Sequence, residues 1–248
     1  MHRRHVVNLK GAGGVWLVRD VVLGQSEHEL EIRWHFAPDL DVRPAGAGRV
    51  EVSKTGSRPG ETWLTLIVPE DTFWHCGAEI KRTLLSPAYG AHQPAPLVRC
   101  HARVSMPAET ATVLVPHSAA IQQDIEPRLV SMAHNTVQVY ELDYHQNNES
   151  HGFFFSRGKE AWSFGPWSSD AQLLYCRIEK EKLTHLVVVG GTRVAWQGQP
   201  LLKAEEPSDS FEWRGRDAVR SAGPGQWSVT SLFEELTSDR SSPYAGKH

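Results

Sequence analysis

The chain has 248 residues, 40% of them hydrophobic and 22% charged, with a formal charge of −3. That length can bury the core of one large β domain or two small ones without a disulfide or metal staple, and the near-neutral balance argues against a surface built to grip nucleic acid. Cys76, Cys100 and Cys176 are far apart and form no CxxC pair. They read as buried thiols rather than a disulfide framework or a zinc–thiolate site.

Taken in chain order, the first segments are Val6–Lys10 and Val15–Leu23, joined by Gly11-Ala12-Gly13-Gly14. A phosphate-binding loop would need a helix after the glycines, with its amides facing the anion. Val15-Trp16-Leu17-Val18 follows instead, so the glycines predict a hairpin turn. The strongest periodicity is at Glu27–Ala37. His28, Leu30, Ile32, Trp34 and Phe36 point one way, and Glu27, Glu29, Glu31, Arg33 and His35 point the other. Period two predicts a strand with one wet face. The same alternation places His28 and His35 on opposite sides, so they cannot converge on a metal.

Further strands are predicted at Arg49–Lys54, Thr62–Val68, Phe73–Arg82, Pro96–Val104, Glu109–Val115 and Thr136–Leu142. After them come Gly152–Phe155, Gln172–Ile178, Leu183–Val189, Arg193–Trp196 and Phe211–Trp213. Pro44–Gly48, Ser57–Gly60, Asn147-Asn148 and Gly190-Gly191 supply turns between them. Many short strands with regular turn signals predict an all-β fold, a large antiparallel β-sandwich of stacked sheets with little helix. One short helix is expected near Ser231–Leu236, and Thr237–His248 is polar. The expected organisation is a sandwich domain over residues 1–215 and an extension over 216–248. No run approaches the roughly 18 apolar residues of a membrane helix, and no leader-like apolar stretch stands at the start. As written, the chain would stay in the cytoplasm; as part of an exported enzyme it would be periplasmic.

Trp162-Ser163-Phe164-Gly165-Pro166-Trp167 packs three aromatic rings around a turn. Trp162 and Trp167 are the carbohydrate-binding candidates, because an exposed indole stacks on the apolar face of a sugar. The competing reading puts both rings in the core, where tryptophan is usually largely buried. Asn148-Glu149-Ser150 fits a glycosylation sequon and reads as a hairpin turn. The spacing shows no Gly-x-Ser-x-Gly elbow and no metal-ligand grouping, so no catalytic residue, metal ligand or cofactor is predicted.

The order of several segments resembles the C-terminal β-sandwich of heparinase II/III-like polysaccharide lyases. Trp16–Gly24 followed by His28–Pro38 is similar to a paired strand motif of that family. Ser86-Pro87-Ala88-Tyr89-Gly90, Pro94-Ala95-Pro96 and Pro107–Pro116 continue it, as do Phe153-Phe154-Phe155, Trp162–Trp167 and Ser169-Asp170-Ala171. The resemblance spans roughly residues 2–202. It implies β-elimination of uronic-acid polysaccharides by the full enzyme, with acidic polysaccharide as partner and neither nucleic acid nor membrane. The family's catalytic Tyr and Asn/His lie on a helical toroid, and a further His lies on strands that precede the segments matched here.

Neither the toroid nor those strands are expected in this chain, so the resemblance implies a non-catalytic portion. It would buttress a helical domain, one on another chain included, and line the substrate cleft. Ala133-His134-Asn135-Thr136-Val137 imitates a ligand segment of the family but stands after the Trp34-His35 strand instead of before it, so no ligand role passes to His134. Tyr89, Tyr140 and Tyr144 would serve as bases only in a new arrangement. The alternative is a free-standing carbohydrate-binding sandwich; a complete enzyme of unfamiliar design is the third reading. The net charge does not favour heavily sulfated heparin, although His2-Arg3-Arg4-His5 forms a local basic run.

Overall fold

The computed structural model describes residues 1–9, 14–46, 48–58, 61–68, 79–86, 88–117, 128–134, 136–144, 148–215, 218–223 and 225–237. Among these, the side chains of 79–82, 128, 144, 218–220 and 235 are outside the description. The expected turn at Gly11–Gly13, the first half of the Phe73–Arg82 strand, Cys76 and the tail from residue 238 fall outside the described residues. Packing divides the chain into Met1–Asp124 and Ile125–His248.

The first unit contains β1 (His2–Leu9), β2 (Val15–Val22), β3 (Glu27–His35), β4 (Leu40–Pro44), β5 (Arg49–Lys54), β6 (Leu64–Ile67), β7 (Glu79–Leu85), β8 (Gln93–Ser105) and β9 (Ala108–Pro116). They form a six-stranded sheet ordered β1-β2-β9-β6-β5-β4 and a three-stranded sheet ordered β3-β8-β7. Every pairing is antiparallel. The all-β sandwich expected from sequence is the fold found.

The alternation in β3 has a direct structural counterpart. Leu30, Ile32 and Trp34 pair in register with Ala102, Cys100 and Val98 of β8. Ile32, Trp34, Cys100 and Val98 pack with Val50 and Leu66 of the six-stranded sheet and with Val68 just after β6, while Leu30 and Ala102 pack with Ala108 and Met106. The opposite positions, Glu27, Glu29, Glu31, Arg33 and His35, are exposed. A one-residue slip would invert the whole set, so burial of one face fixes the register. His28 departs from the pattern: it is exposed and bonds the Gln25 carbonyl at 3.0 Å.

The second unit contains β10 (Arg128–His134), β11 (Val137–Tyr144), β12 (Glu149–Ser156), β13 (Trp162–Phe164), β14 (Trp167–Ser169), β15 (Leu173–Glu179), β16 (Lys182–Trp196), β17 (Gln199–Arg214), β18 (Ala218–Ala222), β19 (Trp227–Val229) and α1 (Ser231–Thr237). These strands make one ten-stranded sheet, in which β16 joins β15, β14 and β17, and β17 also pairs β18 and β19. Helix α1 covers part of the core, with Phe233 edge-on to Trp213 at 5.1 Å between centroids. It starts where the sequence predicts.

Two strands predicted separately, Leu183–Val189 and Arg193–Trp196, are one long strand with an irregularity between them. Asp170 organises that irregularity. Its carboxylate accepts the backbone N–H groups of Thr192 at 2.9 Å and Arg193 at 3.0 Å, and the Thr192 hydroxyl at 2.5 Å. Burial opposes the charge, but those hydrogen bonds outweigh it and hold the Asp170 carboxyl below its ordinary range. Gly191 lies against the same turn. A Cβ there would stand 2.7 Å from the Ala171 Cα and 2.8 Å from its nitrogen.

Backbone atoms cannot yield as a flexible side chain would. Gly191→Ala is therefore expected to lower stability by about 1–3 kcal/mol in denaturant unfolding. Gly158→Ala, where the nearest atom is at 3.9 Å, is expected to leave the unfolding midpoint close to wild type.

Candidate functional site

Three polar constellations stand out, two in the first unit and one in the second. The first surrounds Asp20, whose side chain is 6% exposed. Arg4 on β1 grips both carboxylate oxygens, with Nε at 2.8 Å and Nη2 at 3.0 Å, and His2 Nε2 lies 2.7 Å from Oδ1. The two residues share one face of β1 because they are two apart. The Arg4 guanidinium also lies 5.8 Å from the centre of the Trp34 ring. The basic run His2–His5 is thus divided between two faces, and Asp20 compensates part of its charge. On the other face, burial and then the charges of Arg19 and Arg3 push the His5 pKa down. Arg19 is itself paired with Glu109.

The second constellation is the wet face of β3 and β8. Arg103 donates to Glu27 at 2.7 Å, and Arg33 donates to Glu31 at 2.5 Å. Arg99 lies 3.7 Å from the same Glu31 carboxylate, and His101 stands opposite Glu31 in register. The Arg33 hydrogen bond holds the Glu31 carboxyl below its ordinary range. Among the described side chains of β3 and β8, Arg33, Arg99 and Arg103 match Glu27, Glu29 and Glu31 in number.

The third lies on one face of the large sheet, where His151, Arg177, His185 and Arg214 occupy successive register positions across β12, β15, β16 and β17. His151 is fully buried, with Nε2 2.8 Å from Glu149 and Nδ1 2.8 Å from the Tyr175 hydroxyl. A carboxylate only accepts, so Nε2–H donates to Glu149, and Nδ1 shares the second hydrogen bond with the Tyr175 hydroxyl. Hydrogen bonds from His151 and then Arg177 keep the Glu149 carboxyl below its usual range. Burial pushes the Tyr175 phenol upward, so it stays protonated. His185 stands edge-on to Tyr175 and 3.0 Å from Glu212, which also accepts from Arg214 at 2.7 Å. A tyrosine, a histidine and a carboxylate in line resemble a proton-transfer relay. With Tyr175 at 1% and His151 at 0% exposure, no substrate proton reaches them, and the network acts as a polar latch across four strands.

Trp162 and Trp167 are 2% and 4% exposed. Trp162 stacks on Phe154 with centroids 5.4 Å apart, and its Nε1–H donates to the Ala171 carbonyl at 2.8 Å. Trp167 meets Trp196 edge-on at 4.6 Å. Both rings are core, and neither offers a face to a sugar. The rings lie on β13 and β14, a short hairpin whose turn is the Gly165-Pro166 pair. Tyr89 is fully exposed in the first unit, while Tyr140 is buried in the second; the Tyr144 side chain is outside the described residues. His134 is exposed and lies edge-on to Phe164. Cys100 and Cys176 are buried, and burial pushes the Cys176 thiol up to about 12.

Among the described residues no group of three His, Cys, Asp or Glu is placed to hold a metal ion, and no helix is long and apolar enough to cross a membrane. The exposed tryptophans there are Trp16 and Trp63. Sequence reasoning passed over Trp63. Its one signal is position: it stands at the junction of a polar turn and the apolar run Leu64–Val68, where an inward ring is not required.

The paired segments that begin the resemblance, Trp16–Gly24 and His28–Pro38, correspond to β2 and to β3 with the turn after it. A family model described as heparinase II/III-like, C-terminal, matches this part of the chain. Over residues 1–116 the chain is similar to the heparinase II/III-like C-terminal family. The match ends with β9, so the later segments of the resemblance, Phe153–Ala171 included, lie outside it. No curated protein matches the chain.

Trp162→Ala is expected to destabilise the protein by about 3–5 kcal/mol, as removal of a buried indole does, read by chemical denaturation. Burial lowers the His185 pKa from its ordinary 6.5, with Glu212 opposing and Arg214 reinforcing the shift. A depressed pKa means the unfolded chain binds the proton more readily. Its contribution is complete above pH 6.5 and declines as pH falls toward the folded value. Unfolding midpoints measured across pH should drop below that point, and His185→Gln should reduce the drop.

Proposed function

We propose that this chain is a non-catalytic β-sandwich portion of a heparinase II/III-like polysaccharide lyase. The observation that carries the reading is the family match over residues 1–116. In β-elimination a base removes the proton at C5 of a uronic acid while its carboxylate is neutralised, and the 4-linked sugar leaves. Such a base needs an exposed proton-accepting atom beside a cation. Tyr175 and His151 form the best-aligned pair in the second unit, and both are buried. Asp20 is occupied by Arg4 and His2.

The chemistry then belongs to a helical domain, on this polypeptide or another, and the sandwich buttresses it and lines one wall of the cleft. The wet face of β3 and β8 suits that role. Its arginines, Arg33, Arg99 and Arg103, are spaced along the strands. Acidic polysaccharide is the partner on this reading. A free-standing carbohydrate-binding sandwich is the second reading, favoured by the exposed Trp63 ring.

The purified chain is expected to give no rise in ultraviolet absorbance from unsaturated product with heparan, alginate, chondroitin or hyaluronan. A signal that survives repurification would overturn the non-catalytic assignment.

A further inference from the structure

The geometry points to Trp63 and Lys54 as a sugar-stacking subsite for a uronic-acid unit. The subsite rests on the reading that this chain meets acidic polysaccharide. Trp63 is 44% exposed, an unusual state for an indole. Its position is nevertheless fixed: its backbone N–H donates to the Val52 carbonyl at 2.8 Å, and its carbonyl accepts the His117 N–H at 2.7 Å. The ring is therefore presented from a paired backbone and not from a loose loop.

Lys54 closes the same end of the sheet. The following turn is fastened by the Ser57 N–H on the Lys54 carbonyl at 2.9 Å and the Thr55 N–H on the Asp39 carbonyl at 2.9 Å. The Lys54 ammonium lies 5.9 Å from the centre of the Trp63 ring, the outer limit of a cation–π contact. Among the described residues it has no hydrogen bond or ion pair, so its donors are available.

An anchored apolar ring beside an uncommitted cation matches a ligand with an apolar face and one negative group. A uronic-acid ring has both. Its axial C–H face covers the indole, and its carboxylate meets the ammonium. A neutral sugar would use only the ring, and Lys54 would be idle.

The test titrates the full chain by calorimetry with an unsulfated hyaluronan hexasaccharide and with the same hexasaccharide after its carboxyls are reduced to alcohols. Trp63→Ala is expected to weaken binding of the acid form about tenfold without moving the unfolding midpoint, and Trp63→Phe to restore most of it. Lys54→Gln is expected to weaken the acid form and leave the reduced form unchanged. If the wild type binds and Trp63→Ala binds equally well, the subsite is overturned while the polysaccharide reading stands. Equal wild-type affinity for both hexasaccharides overturns the role of Lys54. If the wild type binds neither, the subsite is overturned, and the product assay on the polysaccharide panel judges the lyase reading separately.

Discussion

The constraint on which the first unit depends is that a strand has two sides. In β3 one side must meet Val50, Leu66 and Val68 across the sandwich, and the other must meet water. Once Ile32 and Trp34 are opposite Cys100 and Val98, the positions of the three glutamates and Arg33 follow without further choice. The charged ladder is a by-product of core register, with Arg33 on Glu31 and Arg103 on Glu27.

That two-sidedness also explains what could be read from sequence. The Glu27–Ala37 alternation was legible because a half-buried strand writes its burial into every second residue. The segments around β13 and β14 were not. Each has three residues, too few for a period, and aromatic rings with a Gly-Pro turn suit a surface platform and a core hairpin equally well. The bond from Trp162 to the Ala171 carbonyl, which marks the ring as internal, joins residues nine apart and leaves no local trace. β10 was missed because Arg128–His134 mixes polar and apolar residues without alternation. Trp63 was passed over for the converse reason: a single exposed ring leaves no pattern.

The histidine-rich face of the second unit teaches a related lesson. Tyr175, His151 and Glu149 have the composition of a proton relay, and residue types alone would nominate them. Accessibility decides otherwise. A buried phenol raised by desolvation keeps its proton, and a carboxylate lowered by its partners stays ionised. Such a network gives four strands one shared polar registration, at the cost of desolvating charged groups that an apolar seam would not contain.

β9 lies between β2 and β6, and β2 is about ninety residues upstream of it, as the Arg19–Glu109 pairing spans |i−j| of 90. During synthesis the six-stranded sheet therefore stays in two pieces, β1-β2 and β6-β5-β4, until β9 leaves the ribosome. The β1-β2 hairpin waits with an unpaired edge for that whole interval, and β6-β5-β4 for the later part of it. The hairpins of the second unit face no such delay, since each closes on a neighbour made moments before. Late closure makes the first unit the part of the chain most exposed to capture by chaperones or by another nascent copy.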